Sequence, residues 1–217
     1  MYKAVLFDMD GVIIDSEPVR QAQEKELFKK LGMNVTDEEH QSYVGTTSEG
    51  MWQGIKSNHD TPHSVKELVE MEQSNYLSHL EEYNDQYPMP GVVDLIKNLH
   101  ENSMTLVVAS SACMKNIEVV VKKFELEKYF TKLVSGEEVP KGKPAPDVFL
   151  EAAKQINMTP EQCVVIEDAM NGIAAAKAAE MKCIGISSPH RTPQDLSKAD
   201  LVVDHLSKVD YNILQNL

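Results

Sequence analysis

The sequence predicts an α/β protein: a Rossmann-like parallel sheet with helices on both faces, interrupted early by an α-helical insertion. Three observations carry this. Short apolar runs of strand length alternate with stretches whose apolar residues recur at i, i+3, i+4 and i+7. The first run, Ala4-Val5-Leu6-Phe7, is apolar throughout, as suits a strand covered on both faces in a parallel sheet. From residue 15 to residue 85 the alternation stops and the patterns are helical and polar.

The elements follow in order. The first strand delivers two acids, Asp8 and Asp10, into Gly11. Helical patterns then run from Val19 to Leu31, Glu49 to Ser57 and Ser64 to Leu80, punctuated by Gly32, Gly45 and Pro62. Tyr87-Pro88-Met89-Pro90-Gly91 marks a stiff return to the α/β pattern. Helices are then signalled by Val92, Leu95, Ile96 and Leu99, and by Ile117, Val120, Val121 and Phe124. A third pattern, Val148, Phe149, Ala152, Ala153 and Ile156, follows a helix start at Pro146-Asp147. Strands are expected at Thr105–Ala109, Lys132–Ser135, Cys163–Glu167, Lys182–Ile186 and Asp200–Val203. The implied organisation is a core domain of residues 1–14 and 86–217 with an inserted helical domain at 15–85.

Composition narrows the function. With 42% hydrophobic and 25% charged residues over 217 positions, the chain has the make-up of a globular protein able to bury a sizeable core. No run approaches the ~20 apolar residues of a membrane helix. Met1-Tyr2-Lys3 leads straight into the first strand, which leaves no room for a signal peptide. A net charge of −13 repels nucleic acid and anionic membranes, so neither is an expected partner. Cys113, Cys163 and Cys183 have no metal-ligand spacing and form no even-numbered framework; buried, reduced thiols in a cytoplasmic protein are expected. A monomer is the default. His59 and His63 flank Pro62, which argues against a shared helical face, and both are expected in an exposed loop. Trp52, with Met51 and Ile55, reads as core of the insertion.

Ligand sites in parallel sheets lie beyond the carboxyl ends of the strands. Four such ends carry polar chemistry here: Asp8-Met9-Asp10-Gly11, Ala109-Ser110-Ser111, Lys141-Gly142-Lys143-Pro144 after the third strand, and Glu167-Asp168. Singly, each has a plain alternative. The serines could cap a helix, Lys143 could be solvated, and Glu167-Asp168 could cap a helix beginning near Asn171. Together they suit phosphoryl transfer through an aspartyl-phosphate. One carboxylate attacks phosphorus, and a divalent cation removes the repulsion between the two anions. Asp8, Asp168 and a backbone carbonyl near Asp10 are candidate Mg2+ ligands. Lys143, Ser110 and the Ser111 N–H are candidate phosphate ligands, and Asp10 is the candidate general acid and base.

These segments resemble the haloacid dehalogenase-like superfamily, in its branch of small-cap phosphatases and β-phosphoglucomutases. The resemblance rests on Val5-Leu6-Phe7-Asp8-Met9-Asp10-Gly11-Val12, Val108-Ala109-Ser110-Ser111, Lys143-Pro144-Ala145-Pro146-Asp147, and Ile166-Glu167-Asp168 followed by Asn171-Gly172. It implies Asp8 as nucleophile and Asp10 as general acid/base. It implies Ser110 and Lys143 on the phosphate, and Mg2+ held by Asp8, the Asp10 carbonyl and Asp168, with Glu167 as a further or outer ligand. It also implies a helical cap at residues 15–85 that closes over the site. Ser111 and Lys115-Asn116 match positions where mutases would bind a second sugar phosphate group. Mutases carry a cap histidine where Arg20 stands, an arginine after the cap-loop glycine where Gly45-Thr46-Thr47-Ser48-Glu49 has none, and a lysine near Glu72. These departures favour a phosphatase of a small phosphorylated metabolite, a sugar phosphate first, over a mutase. Arg20 reads either as a substrate contact or as the partner of Glu24 one turn on. A dehalogenase needs neither the cation nor Asp10, and a non-catalytic phospho-acceptor module is smaller, lacks the cap and has no reason to keep a general acid at Asp10.

Overall fold

The computed structural model describes residues 1–43, 47–83, 85–187 and 194–217; Gly45 and Thr46 of the expected cap loop lie outside them. In chain order the elements are β1 (Ala4–Phe7), α1 (Glu17–Lys30), α2 (Asp37–Gln41), α3 (Ser48–Asn58), α4 (Val65–Glu82), α5 (Val92–Glu101), β2 (Thr105–Ser110), α6 (Met114–Lys123), β3 (Phe130–Ser135), α7 (Asp147–Gln155), β4 (Cys163–Glu167), α8 (Met170–Ala178), β5 (Lys182–Ile186), β6 (Leu201–Val203) and α9 (Tyr211–Gln215). The chain divides into two compact units, Met1–Asp15 with Gln86–Leu217, and Ser16–Asp85. Among the described residues no helix is long and apolar enough to cross a membrane.

The first unit is built on one sheet of order β3-β2-β1-β4-β5-β6, with every pairing parallel. The chain winds outward from β1 to β3, then crosses back to β4 and winds the other way. The winding therefore reverses between β1 and β4, which is where a parallel sheet opens a ligand crevice. Ala4, Val5, Leu6 and Phe7 are fully buried because β1 is central and covered on both faces. Leu6, Val107 and Val165 from three adjacent strands form one core with Val148, Phe149 and Ala152 of α7 and with Ile173 and Ala176 of α8.

After β1 the chain turns sharply. Gly11 adopts φ 86, a left-handed conformation that only glycine takes without penalty. The Met9 carbonyl accepts from the N–H groups of Val12, Ile13 and Ile14 (3.3, 2.8 and 3.1 Å). The outgoing and returning chains are then tied side by side. Met89 N–H donates to the Ile13 carbonyl (2.8 Å) and Asp15 N–H to that of Tyr87 (3.2 Å).

The second unit holds α1 to α4. The helix starts are specified locally. Thr36, Thr47 and Ser64 are N-caps whose hydroxyls accept from backbone N–H groups, and Ser64 forms a capping box with Glu67. Leu27, Phe28, Met51, Trp52, Ile55 and Leu68 make the core, with the Phe28 and Trp52 rings edge-to-face at 5.3 Å. Trp52 is thus core, as expected. A polar cluster is also buried there: Glu72 accepts from Trp52 Nε1 (2.8 Å) and from the Ser48 hydroxyl (2.9 Å). Burial pushes the Glu72 carboxyl up, reinforced by Glu24 and opposed by those two donors. Glu24 is 2.5 Å from His40 Nε2, and the Arg20 guanidinium lies 4.1 Å over the Tyr76 ring.

Several expectations need correcting. His59 and His63 are half-buried, and His59 Nε2 is 2.8 Å from a Glu39 carboxylate oxygen. Cys113 is only half-buried, whereas Cys163 and Cys183 are buried. Helices α2 and α9, five residues each, are too short to show a period; each is set by its N-cap, Thr36 and Asp210. β3 begins at Phe130, before the apolar run that marks it, because its first residues form an edge strand and remain partly exposed.

Candidate active site

β1 and β4 end side by side, with Phe7 in register with Ile166. The next residue on each strand is acidic. Asp8 N–H donates to the Ile166 carbonyl (3.0 Å), so the carboxylate that follows β1 is anchored where the sheet winding reverses. Asp8 and Glu167 are both buried, at 7% and 2% exposure, which makes charge compensation obligatory.

The compensation comes from Lys143. Its ammonium, 6% exposed, lies 2.5 Å from Asp8 Oδ1 and 2.8 Å from Glu167 Oε1, and it also donates to the Ala109 carbonyl at 3.3 Å. Its stem brings the ammonium 4.8 Å over the Phe149 ring. Lys143 is therefore not a solvated lysine. Burial alone would lower its pKa, but the two carboxylates more than offset that and hold it charged. The Asp8 carboxyl is pushed up to about 7, by burial first and by Glu167 and Asp10 next, against the opposing pull of Lys143.

Glu167 is saturated from several sides. Its Oε2 accepts the N–H groups of Asp168 and Ala169 (2.8 Å each) just ahead of α8, while Oε1 takes Lys143. The carboxylate thus sits at the start of α8, where the helix dipole favours negative charge. Glu167 is not the N-cap of that helix, which is Ala169, and both N–H groups it accepts precede the first helical residue, Met170. One oxygen each from Asp8, Glu167 and Asp168 lies within 4.8 Å of the others. Three carboxylate oxygens at that spacing are a hard donor set of the kind Mg2+ takes, so these residues fit the cation that the resemblance implies. Glu167 already accepts three hydrogen bonds, which suits it to an outer place around such a cation. Asp10 lies outside that set; it follows Met9, which is fully buried, and remains partly accessible in the turn.

Ser110 ends β2 and is buried. Its hydroxyl accepts from Ala112 N–H at 3.1 Å, so it orders the turn and keeps its own proton to donate. It does not cap α6, whose N-cap is Cys113. Ser111 is exposed. Asn116 lies on α6 beside Ile117, buried, and its amide oxygen has no hydrogen-bond partner among the described residues. The structure thus brings Asp8, Lys143, Glu167 and Asp168 together. The Ala109 carbonyl and the Phe149 ring complete the seat of Lys143. Neither carries a sequence signal: the first is a backbone atom, and the second is one member of an ordinary apolar helix face.

A family model described as haloacid dehalogenase-like hydrolase matches residues 5–186. Hexitol phosphatase B of Escherichia coli K12 is 32% identical over 190 residues, covering 86% of this chain and 84% of that protein. The chloroplastic protein SUPPRESSOR OF QUENCHING 1 of Arabidopsis thaliana is 33% identical over 197 residues, 85% of this chain but 18% of that much longer protein. Among solved structures, a β-phosphoglucomutase from Clostridium difficile superposes with a TM-score of 0.80 at 26% identity, covering 100% of this chain and 96% of that one. The chain belongs to the haloacid dehalogenase-like hydrolase family and is a phosphohydrolase of its sugar-phosphate phosphatase and β-phosphoglucomutase branch.

Proposed function

We propose that the protein is a Mg2+-dependent phosphatase of a small phosphorylated metabolite, a sugar phosphate first, working through an aspartyl-phosphate on Asp8. The observation that carries this is the Lys143 ammonium held between Asp8 and Glu167 beside Asp168. That arrangement gives a carboxylate at the strand end the positive charge an incoming phosphate needs. A divalent cation held by Asp8, Asp168, the Asp10 carbonyl and, more remotely, Glu167 would offset the remaining repulsion between carboxylate and phosphate.

The chain's own residues supply the rest. A carboxylate oxygen of Asp8 attacks phosphorus as the bond to the ester oxygen breaks, and Asp10 gives that oxygen its proton. Asp10 then takes a proton from water, which attacks the phosphorus of the acyl phosphate; inorganic phosphate leaves and Asp8 is restored. Lys143, the Ser110 hydroxyl and the Ser111 N–H bind the phosphoryl oxygens as charge develops on them. The amide oxygen of Asn116, without a partner among the described residues, is the acceptor assigned to a substrate hydroxyl. By the family likeness, the helical unit of residues 15–85 would take the part of the cap domain.

The mutase is the second reading, favoured by the likeness to β-phosphoglucomutase. Glu72 weighs against it. An acid hydrogen-bonded inside the helical unit stands about where the mutase pattern has a lysine. The test is phosphate release across a panel of phosphometabolites with Mg2+ and with EDTA, including β-glucose 1-phosphate followed for both free phosphate and glucose 6-phosphate. Mg2+-dependent release of free phosphate is the expected result. Glucose 6-phosphate with little free phosphate would replace the phosphatase by the mutase.

A further inference from the structure

Asn171-Gly172, in the first turn of α8, has no part in the chemistry just described, yet Gly172 lies against it. Its backbone is ordinary right-handed helix, so it is not there for conformational freedom. A glycine inside a helix is in fact a poor choice, since alanine is the better helix former. What distinguishes the position is space. A Cβ placed on Gly172 would fall on the carboxyl carbon and both oxygens of Glu167. A flexible side chain end would ordinarily move aside. This one accepts from two backbone N–H groups and from the Lys143 ammonium, and it is 2% exposed. Moving it breaks all three bonds in a buried place.

We propose that Gly172 is a positioning residue for the reaction. The missing side chain sets the Glu167 carboxylate against α8, and that carboxylate holds Lys143 midway between itself and Asp8. The inference rests on the proposed roles of Asp8 and Lys143. With a methyl group at 172 the Glu167 carboxylate is driven away, and Lys143 is left with Asp8 and the Ala109 carbonyl. The ammonium then pairs with the nucleophile alone and is withdrawn from the phosphate it should meet.

The test is a double-mutant cycle of Gly172→Ala and Glu167→Asp. The shorter acid draws the carboxylate back from α8 and makes room for the methyl group. Two quantities are measured: the melting temperature of the metal-free protein in EDTA, and kcat/KM on p-nitrophenyl phosphate with Mg2+. Gly172→Ala alone should lower the melting temperature and reduce kcat/KM by roughly 10- to 100-fold, the usual cost of disturbing a residue that orients a ligand. In the Glu167→Asp background the same change should lower neither further by much, less than about threefold in kcat/KM. A glycine of no special role predicts the opposite: a melting temperature unchanged or raised in both backgrounds, with activity kept. That result, or equal costs in both backgrounds, overturns the proposal. If Gly172→Ala does not fold, recovery of folding by Glu167→Asp supports the proposal, and failure to recover overturns it. Asp8→Asn run alongside separates the two levels. Turnover surviving in Asp8→Asn refutes the aspartyl-phosphate reading without touching the melting-temperature cycle. An additive cycle with an inactive Asp8→Asn refutes only the role of Gly172.

Discussion

Replacing Lys143 with methionine keeps an unbranched side chain and removes the ammonium that lies between two buried carboxylates and over the Phe149 ring. Its separations of 2.5 and 2.8 Å from Asp8 and Glu167 correspond to a gross attraction of about 6 kcal/mol each at an effective dielectric of about 20. Against this stands the desolvation of the ammonium, itself several kcal/mol. Removing one member of a buried ionic cluster while leaving the others unpaired typically costs about 3–5 kcal/mol, which is the loss expected for the metal-free protein at pH 8. The loss should shrink on acidification. Burial already pushes the Asp8 carboxyl up to about 7, and without the lysine it rises further. A carboxyl whose pKa is higher folded than unfolded binds more protons in the native state between about pH 4 and its folded pKa. Native stability therefore falls as pH rises through that window, and the variant, with the larger shift, keeps falling to a higher pH and loses more in total. Guanidinium unfolding in EDTA at pH 5 and pH 8 measures this, and Mg2+ added at pH 8 should restore part of the loss. A loss below about 1 kcal/mol at pH 8, or one larger at pH 5 than at pH 8, would refute the view that Lys143 neutralises this cluster.

Three further outcomes are expected. Asp8→Asn should reduce phosphate release more than about a thousandfold while leaving the circular dichroism unchanged; near-normal turnover would end the aspartyl-phosphate mechanism. Glu72→Ala should destabilise the helical unit by about 1–3 kcal/mol, because it strands the Trp52 N–H and the Ser48 hydroxyl. As Trp52 is the single tryptophan, its emission should shift as well; an unmoved spectrum and melting curve would contradict the burial of that cluster. The native protein should react with Ellman's reagent at Cys113 only. Burial pushes the Cys163 thiol up to about 11 and raises that of Cys183 too, while Cys113 is half-buried. Fast labelling of a second thiol, or of Cys113→Ser, would count against this.

Much of the molecule is legible in its residues, since it depends on short-range pattern. An unbroken apolar run such as Ala4-Val5-Leu6-Phe7 has few folded uses other than a strand covered on both sides, and the turn signals at Gly11 and Pro88 bracket the insertion. The acids, hydroxyls and lysine at successive strand ends could be named because a parallel sheet collects its strand ends on one edge. Short elements escaped notice for the converse reason. Five residues of α2 show no period, and a cap such as Thr36 is recognisable only once the helix is known.

Sequence alone, then, determined the fold class, the interrupted α/β order and the set of residues available for phosphate chemistry, because each follows from local spacing and side-chain type. Only the tertiary structure decided what those residues do to one another. Lys143 and Asp8 stand 135 positions apart, and no local rule puts the ammonium between Asp8 and Glu167. It follows from strand order, which sets β1 beside β4, and from the packing of α7 and α8 beneath them. Glu72 and Gly172 make the same point. In the sequence Glu72 is only a place where mutases have a lysine, and Gly172 only part of a motif; the donors on one and the carboxylate filling the space of the other are seen only in the fold. Burial and hydrogen-bond saturation are sums over neighbours distant in the chain, and they exist only when the chain is folded.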